Sequence, residues 1–355
     1  MKILNATISI ALSTFTLLGT SSCNNEDYPE VKLRNQSADQ TFTNPVINGA
    51  DPFVAQNGDT YYYFSTQGGS VRMWETTDLT ELSSANSKEI FVPEAGTANS
   101  RNVWAPEMFR LDGKWYVYYT AGDGEDINQR TWVLENDSED PMSGTWVDKG
   151  KIVNENFGSW AIDGTVMEYN GTRYFLWSGR PDKTNQDLTQ KIYISKMASP
   201  TTLEGPVTLL TEPEFDWERN GFGVNEAPEI LRGPNTHFLI YSASFCGTDD
   251  YALGQLTLKE GGDPMVAEDW TKSSQPVFSK KPENNAFAPG HNSFFKSPDG
   301  TENWLIYHAN TNSGDGCTNK RNTRMQPFTF DGNGVPDFGE PVSTEAEIQK
   351  PAGDY

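Results

Sequence analysis

Trp104-Ala105-Pro106-Glu107-Met108-Phe109-Arg110-Leu111-Asp112-Gly113-Lys114-Trp115-Tyr116-Val117-Tyr118-Tyr119-Thr120 decides how the whole chain is read. It opens on a short segment unlike its surroundings, turns at Asp-Gly, and leaves as an aromatic and β-branched run. Asp-Gly between two such runs signals a tight hairpin, because both residues tolerate the positive φ that the turn requires. The same order recurs four times outward from this stretch. The opening segments are Ala50-Asp51-Pro52-Phe53, Ile162-Asp163-Gly164-Thr165, Asn225-Glu226-Ala227-Pro228 and Pro289-Gly290-His291-Asn292. Their turns are Asn57-Gly58, Asn170-Gly171, Gly233-Pro234 and Asp299-Gly300, each followed by a strand-like run. The turn glycines Gly58, Gly113, Gly171, Gly233 and Gly300 lie 55, 58, 62 and 67 residues apart. A period near 60 residues accommodates one four-stranded blade with its loops. Five periods predict an all-β chain, a five-bladed β-propeller over residues 41–350. A two-sheet sandwich has similar strands but does not explain why charged residues recur at the same place in each repeat.

Composition agrees with such a fold. The 355 residues include 31 Gly and 21 Pro for turns, and 10 Trp, 14 Tyr and 19 Phe for packing. Helical periodicity is nearly absent. The 27 Lys and Arg face 49 Asp and Glu, a formal charge of −22. That surface repels phosphate backbones, which excludes nucleic acid as a partner class. His237, His291 and His308 are too few and scattered to make a zinc cluster with the cysteines. Cys246 and Cys317 either pair after export or stay as buried thiols.

The first residues read as an export signal. Lys2, an apolar stretch over 8–19 and small residues before Cys23 have the required order, and the stretch is too short to span a bilayer. This leader resembles that of a bacterial lipoprotein with Cys23 acylated, and Asn24-Asn25-Glu26-Asp27 resembles a surface-export signal. The expected organisation is a signal over 1–23, a polar tether over 24–40, and the propeller. The expected location is the outer membrane or cell surface, held by the lipid anchor alone, with a periplasmic or secreted protein as the alternative.

Asp51, Asp163 and Glu226 come from three different repeats, each beside apolar residues, Pro or Gly. Side chains at corresponding blade positions converge near the axis, and burying carboxylates together is costly unless chemistry or a metal uses them. Two carboxyls flanking a glycosidic bond suffice for hydrolysis, and a third charge keeps the acid protonated.

These five segments, in this order and spacing, resemble those of glycoside hydrolase family 43, propeller enzymes acting on arabinose- and xylose-containing glycans. The resemblance runs from Asn44-Pro45-Val46 to Phe338-Gly339-Glu340-Pro341. It implies inversion, with Asp51 as general base, Glu226 as general acid and Asp163 tuning the acid. The family usually has Gly where Ala227 stands. Glu107 and Glu229 look like family positions too, in structural roles. His291 resembles the family histidine near a central calcium, implying a structural Ca²⁺ held largely by water, while the chemistry itself requires no cofactor. Arg324 resembles the arginine that binds sugar hydroxyls, with Arg321 the alternative. Trp104 either stacks on sugar or builds the wall. Phe53 and Phe222 are further wall residues, and Asn225 either orients the acid or binds a hydroxyl.

The tract from Trp217 to Glu226 resembles the acid-bearing segment of exo-acting arabinofuranosidases, as does Tyr241-Ser242-Ala243-Ser244. The expected reaction is release of terminal α-L-arabinofuranose from plant cell-wall arabinan or arabino-oligosaccharides. Endo-arabinanase, β-xylosidase and galactofuranosidase activities, and a non-catalytic glycan-binding propeller, are the alternatives.

Overall fold

The computed structural model describes residues 40–353 apart from 153, 155, 156, 182, 183 and 185. The signal over 1–23 with Cys23, and the tether up to residue 39, lie outside the described residues. Two short strands come first, β1 (Thr41–Phe42) and β2 (Ile47–Asn48). Blade 1 comprises β3 (Phe53–Asn57), β4 (Thr60–Phe64), β5 (Val71–Thr76) and β6 (Asn86–Phe91). Blade 2 comprises β7 (Arg101–Leu111), β8 (Lys114–Gly122), β9 (Arg130–Asn136) and β10 (Val147–Lys151). Blade 3 comprises β11 (Trp160–Tyr169), β12 (Thr172–Arg180), β13 (Lys191–Ser199) and β14 (Thr202–Thr211). Blade 4 comprises β15 (Asn225–Arg232), β16 (His237–Ala243), β17 (Ala252–Leu258) and β18 (Trp270–Lys272). Blade 5 has three strands in sequence, β19 (Phe287–Lys296), β20 (Asn303–Asn310) and β21 (Asn322–Phe330). Its next strand is β2, with Ile47 opposite Thr323 and Asn48 opposite Asn322, which closes the ring. Last, β22 (Pro336–Asp337) pairs with β21 and β23 (Ile348–Gln349) with β1. The molecule is a five-bladed β-propeller.

Turn chemistry follows the residues. Asp112 and Gly113 have φ of 51° and 81°, and Asn170 and Gly171 have 50° and 75°, the paired positive values of a type I′ hairpin. At Gly233-Pro234 proline's ring forbids positive φ, and a wider turn forms, closed by the Gly233 N–H donating to Thr236 O at 2.8 Å.

The apolar core lies between the blades. Five clusters of buried side chains fill the five blade-to-blade interfaces. A middle strand is buried on both faces, so its residues alternate between two neighbours, not between core and water. In β4, Tyr62 and Phe64 pack toward blade 2 while Tyr61 and Tyr63 pack toward blade 5. In β8, Trp115, Val117 and Tyr119 face blade 1 while Tyr116 and Tyr118 face blade 3. Contacts such as Tyr62–Trp115 at 5.8 Å and Tyr118–Phe175 at 5.2 Å join the sheets. Each fully buried aromatic contributes about 1.5–3 kcal/mol through removal from water. This explains why the strand-like runs carry so many aromatics.

Each repeat also carries one left-handed residue at its inner segment. Asp51, Ala105, Asp163, Ala227 and His291 have φ of 58°, 43°, 53°, 48° and 47°. Around the last four the pairing of inner and second strand shifts register, a bulge repeated from blade to blade. Asp51 and Asp163 therefore occupy equivalent positions, whereas Glu226 stands one residue earlier, at the level of Trp104 and Ile162. The three acids are not equivalent in their repeats, contrary to the simple repeat reading. The positive φ of 48° at Ala227 is one that glycine adopts more readily than alanine, in keeping with the glycine that the resemblance leads one to expect there.

Candidate active site

The bulges at Asp163 and Glu226, and the left-handed turn at Asp51 just ahead of β3, bring the three acids into one cavity of about 400 Å³ near the starts of the inner strands. Asp51 is the most heavily partnered. Its Oδ2 accepts from Thr66 Oγ1 at 2.6 Å, and its Oδ1 lies 3.1 Å from Arg321 Nη1 and 3.3 Å from His291 Nδ1. The Thr66 hydroxyl is itself held by the Ala105 N–H at 2.9 Å, so blade 2 orients a blade 1 carboxylate. The Asp51 N–H donates to His308 Nδ1 at 3.1 Å. That bond makes Nδ1 an acceptor and puts the ring's proton on Nε2. The 3.3 Å approach of the same Nδ1 to Asp51 Oδ1 is therefore a close packing contact, not an ion pair. Burial pushes the His308 imidazole down to about 4, consistent with a neutral ring.

Glu226 has the opposite environment. Tyr251 donates to its Oε1 at 2.8 Å. Burial raises its pKa to about 7; the Tyr251 bond pulls the other way and the Asp51 charge adds to the rise. The tyrosine reaches it because residue 290 is glycine, where a Cβ would come within 2.2 Å of Tyr251 Cε1. Asp163 accepts the Ala227 N–H at 3.1 Å, beside the acid. Burial raises Asp163 well above the usual range, and the charges of Glu226 and Asp51 reinforce this. For Asp51 burial also acts upward, but Arg321 foremost, with His291, outweighs it and holds the carboxyl well below its ordinary value. One pocket thus pairs an ionised carboxylate with a carboxyl that keeps its proton near neutrality.

The other sequence-derived residues divide. Trp104, Phe222 and His291 line the cavity. Arg324 does not: it is fully buried, with Nε donating to Asn322 Oδ1 at 2.8 Å and Nη2 to Thr311 Oγ1 at 3.1 Å. It lies within β21, held by residues of its own blade, whereas Arg321 precedes the strand and reaches the cavity. Arg321, the alternative, occupies the place expected of Arg324. Phe53 packs between blades 1 and 2 against Phe109, at 5.5 Å, instead of forming wall. Asn225 is fully buried, its amide donating to Glu218 Oε1 at 2.9 Å. Glu218 also pairs with Lys272 at 2.7 Å and accepts from Tyr241 at 2.8 Å. Asn225 therefore anchors the strand that carries the acid and is closed to a sugar hydroxyl.

Glu107 and Glu229, two residues past the bulge in their blades, are buried, with Thr165 donating to Glu229 Oε2 at 3.3 Å. Burial raises both, Glu229 to about 8, and the Glu229 charge further raises Glu107. Sequence reasoning missed Thr66, Tyr251, and a second arginine, Arg180. Arg180 stands 3.8 Å from the Trp160 ring and 2.5 Å from Asp126 at the cavity wall. Cys246 and Cys317, left open by sequence, are bonded, with their Cα atoms 5.3 Å apart. Among the described residues no group of three His, Cys, Asp or Glu is placed to hold a metal ion.

A propeller with paired carboxyls of opposite protonation at the start of its inner strands has the build of a glycoside hydrolase. The family model for glycosyl hydrolases family 43 matches residues 42–336, and the chain belongs to that family. It is 37% identical to an extracellular exo-alpha-(1->5)-L-arabinofuranosidase of Streptomyces avermitilis, over 85% of this chain and 64% of that protein. It is 33% identical to alpha-L-arabinofuranosidase 43 of Humicola insolens, over 84% of this chain and 63% of that one. The chain thus spans under two thirds of the length of these two relatives. The crystal structure of an alpha-L-arabinofuranosidase from Lactobacillus brevis superposes with a TM-score of 0.80 at 33% identity, covering 86% of this chain and 98% of that one.

Proposed function

We propose that the chain is an inverting exo-acting α-L-arabinofuranosidase that releases terminal arabinofuranose from arabinan or arabino-oligosaccharides. The observation that carries the chemistry is the opposite protonation of Asp51 and Glu226 in one cavity. Asp51 takes a proton from water as the water oxygen bonds to the anomeric carbon. Glu226 gives its proton to the glycosidic oxygen as the old bond breaks. Asp163 tunes the acid through the backbone, accepting the Ala227 N–H beside it, while burial and the Asp51 charge sustain the protonated state of Glu226. Arg321 and His291 keep Asp51 ionised and oriented. The sugar identity and the exo mode are supported by the names of the relatives described above.

A calcium ion near His291 belongs to this proposal as a structural element only. His291 Nδ1 is turned to Asp51, and both side-chain atoms of the adjacent buried Asn292 lack a hydrogen-bond partner. Such an ion would be held chiefly by water, with Asn292 Oδ1 as a protein oxygen open to it, and it would set local charge. Export is proposed as well, with lipid attachment at Cys23. It is supported by the leader, by the "extracellular" in a relative's name, and by a disulfide that suits an oxidising compartment.

Incubation with arabinan, arabinoxylan and defined arabino-oligosaccharides, followed by proton NMR, tests the reading. Monomeric arabinose should be the first product, appearing initially as the β anomer. A ladder of oligosaccharides would overturn the exo reading, and an initial α anomer the single displacement.

A further inference from the structure

The cavity wall beside Glu226 carries an aromatic pair with no part in the chemistry derived above. Phe222 and Phe245 both line the cavity, with ring centroids 4.8 Å apart. Phe245 is 37% exposed, the one aromatic among the large exposed hydrophobic side chains of the described residues. A single exposed phenyl ring needs no partner by itself, but one that lines the cavity of the acids offers an apolar face to whatever enters it.

Its placement is closely defined. A Cβ on Gly247 would come within 2.3 Å of the Phe245 ring, and one on Gly221 within 3.0 Å of Phe245 Cβ, so both glycines make room for the side chain. The Phe245 N–H donates to Asn220 O at 3.0 Å, which ties the two phenylalanine-bearing loops together. The next residue, Cys246, is bonded to Cys317. The platform is thereby attached to the blade 5 loop that leads to Arg321.

Both phenylalanines belong to blade 4, the blade of the acid. Phe222 enters β15 and Phe245 leaves β16, and the pairing of Asn225 with Ala243 sets the two connections side by side. The ionised carboxylate comes from blade 1. In a single displacement the leaving group departs on the acid's side, away from the attacking water. We infer that Phe222 and Phe245 form a leaving-group subsite, a stacking platform for the sugar ring that carries the departing oxygen. The apolar C–H face of a sugar suits an uncharged aromatic surface and requires no ion pair. This inference rests on the arabinofuranosidase reading and adds a preference to it. The enzyme favours a terminal arabinose linked to another sugar ring over one linked to a simple alcohol.

The test compares an α-1,5-linked arabinobiose with methyl α-L-arabinofuranoside. The two leaving alcohols are of similar basicity, so the demand on Glu226 is matched and the departing ring is the main difference. Phe245→Ala should lower kcat/KM on the disaccharide about tenfold, equivalent to about 1.4 kcal/mol, and change the methyl glycoside by less than about twofold. The preserved methyl glycoside rate also reports that the variant is folded. Phe245→Trp should keep the disaccharide rate. Equal losses on both substrates, or no loss on the disaccharide, would overturn the subsite. A wild-type enzyme inert on both arabinosides but active on another glycoside would instead overturn the arabinofuranosidase reading.

Discussion

Replacing Arg321 by Met separates the roles of two arginines three positions apart in the chain, Arg321 and Arg324. Arg321 Nη1 stands 3.1 Å from Asp51 Oδ1, and both side chains are largely enclosed. At an effective dielectric of about 20 the pair interacts by about 5 kcal/mol before water takes the guanidinium's place. After solvent and the remaining histidines respond, a carboxylate that loses an arginine rises by about 1–3 pK units. The acid limb of kcat/KM, which reports the free enzyme's base, should move up by that amount. The basic limb should follow by less, because Arg321 is only a minor influence lowering Glu226. Arg324→Met should leave both limbs in place, since its partners are Asn322 and Thr311. Rates on an arabinoside are measured across the pH range in which circular dichroism shows each variant folded. An unmoved acid limb in Arg321→Met, or a moved one in Arg324→Met, would refute the electrostatic assignment.

Two further outcomes follow from the same network. Tyr251→Phe removes a bond that favours the charged form of Glu226, so the basic limb should rise from about 7 by about 0.5–1 unit; a downward shift would contradict the assignment. Glu229 sits at about 8 in the folded protein against an ordinary value of about 4.5, so the folded state binds the extra proton and stability declines as pH rises between those values. Glu229→Gln should therefore gain about 1 kcal/mol or more at pH 8 relative to wild type in denaturant titrations. That gain should shrink toward pH 5; the same difference at both pH values would contradict a buried, protonated carboxyl.

The propeller was legible because its signal is repeated. Turn pairs such as Asp112-Gly113 and aromatic runs such as 114–120 report local backbone and packing demands that sequence expresses directly. The acids were legible for the same reason, each set within a segment that breaks the strand pattern. The arginine was not. Arg321 and Arg324 differ in whether a side chain leaves the end of a strand or its interior, and that depends on where β21 begins. Asn225 was readable only as polar, because its partner Glu218 comes from a short 3-10 turn and Lys272 from the outermost strand of the same blade. Thr66 and Tyr251 carry no motif; they matter through the Asp51 and Glu226 oxygens they reach from elsewhere in the fold. Phe53 shows the converse error, an aromatic next to a functional residue whose alternation directs it between blades.

The strand that closes the ring lies only a few residues ahead of Asp51. Val46 donates to Thr323 O at 3.0 Å, Gly49 donates to Arg321 O at 3.2 Å, and Thr323 Oγ1 donates to Gly49 O at 3.2 Å. The same few bonds therefore act as the clasp of the circle and as the mount for the carboxylate and its guanidinium. Loosening that clasp would disturb the hydrolytic centre while the four other blades kept their own strand pairings. Under the proposed reaction, activity would be a gauge of whether the circle is shut, and its loss would come ahead of the collapse of the sheets.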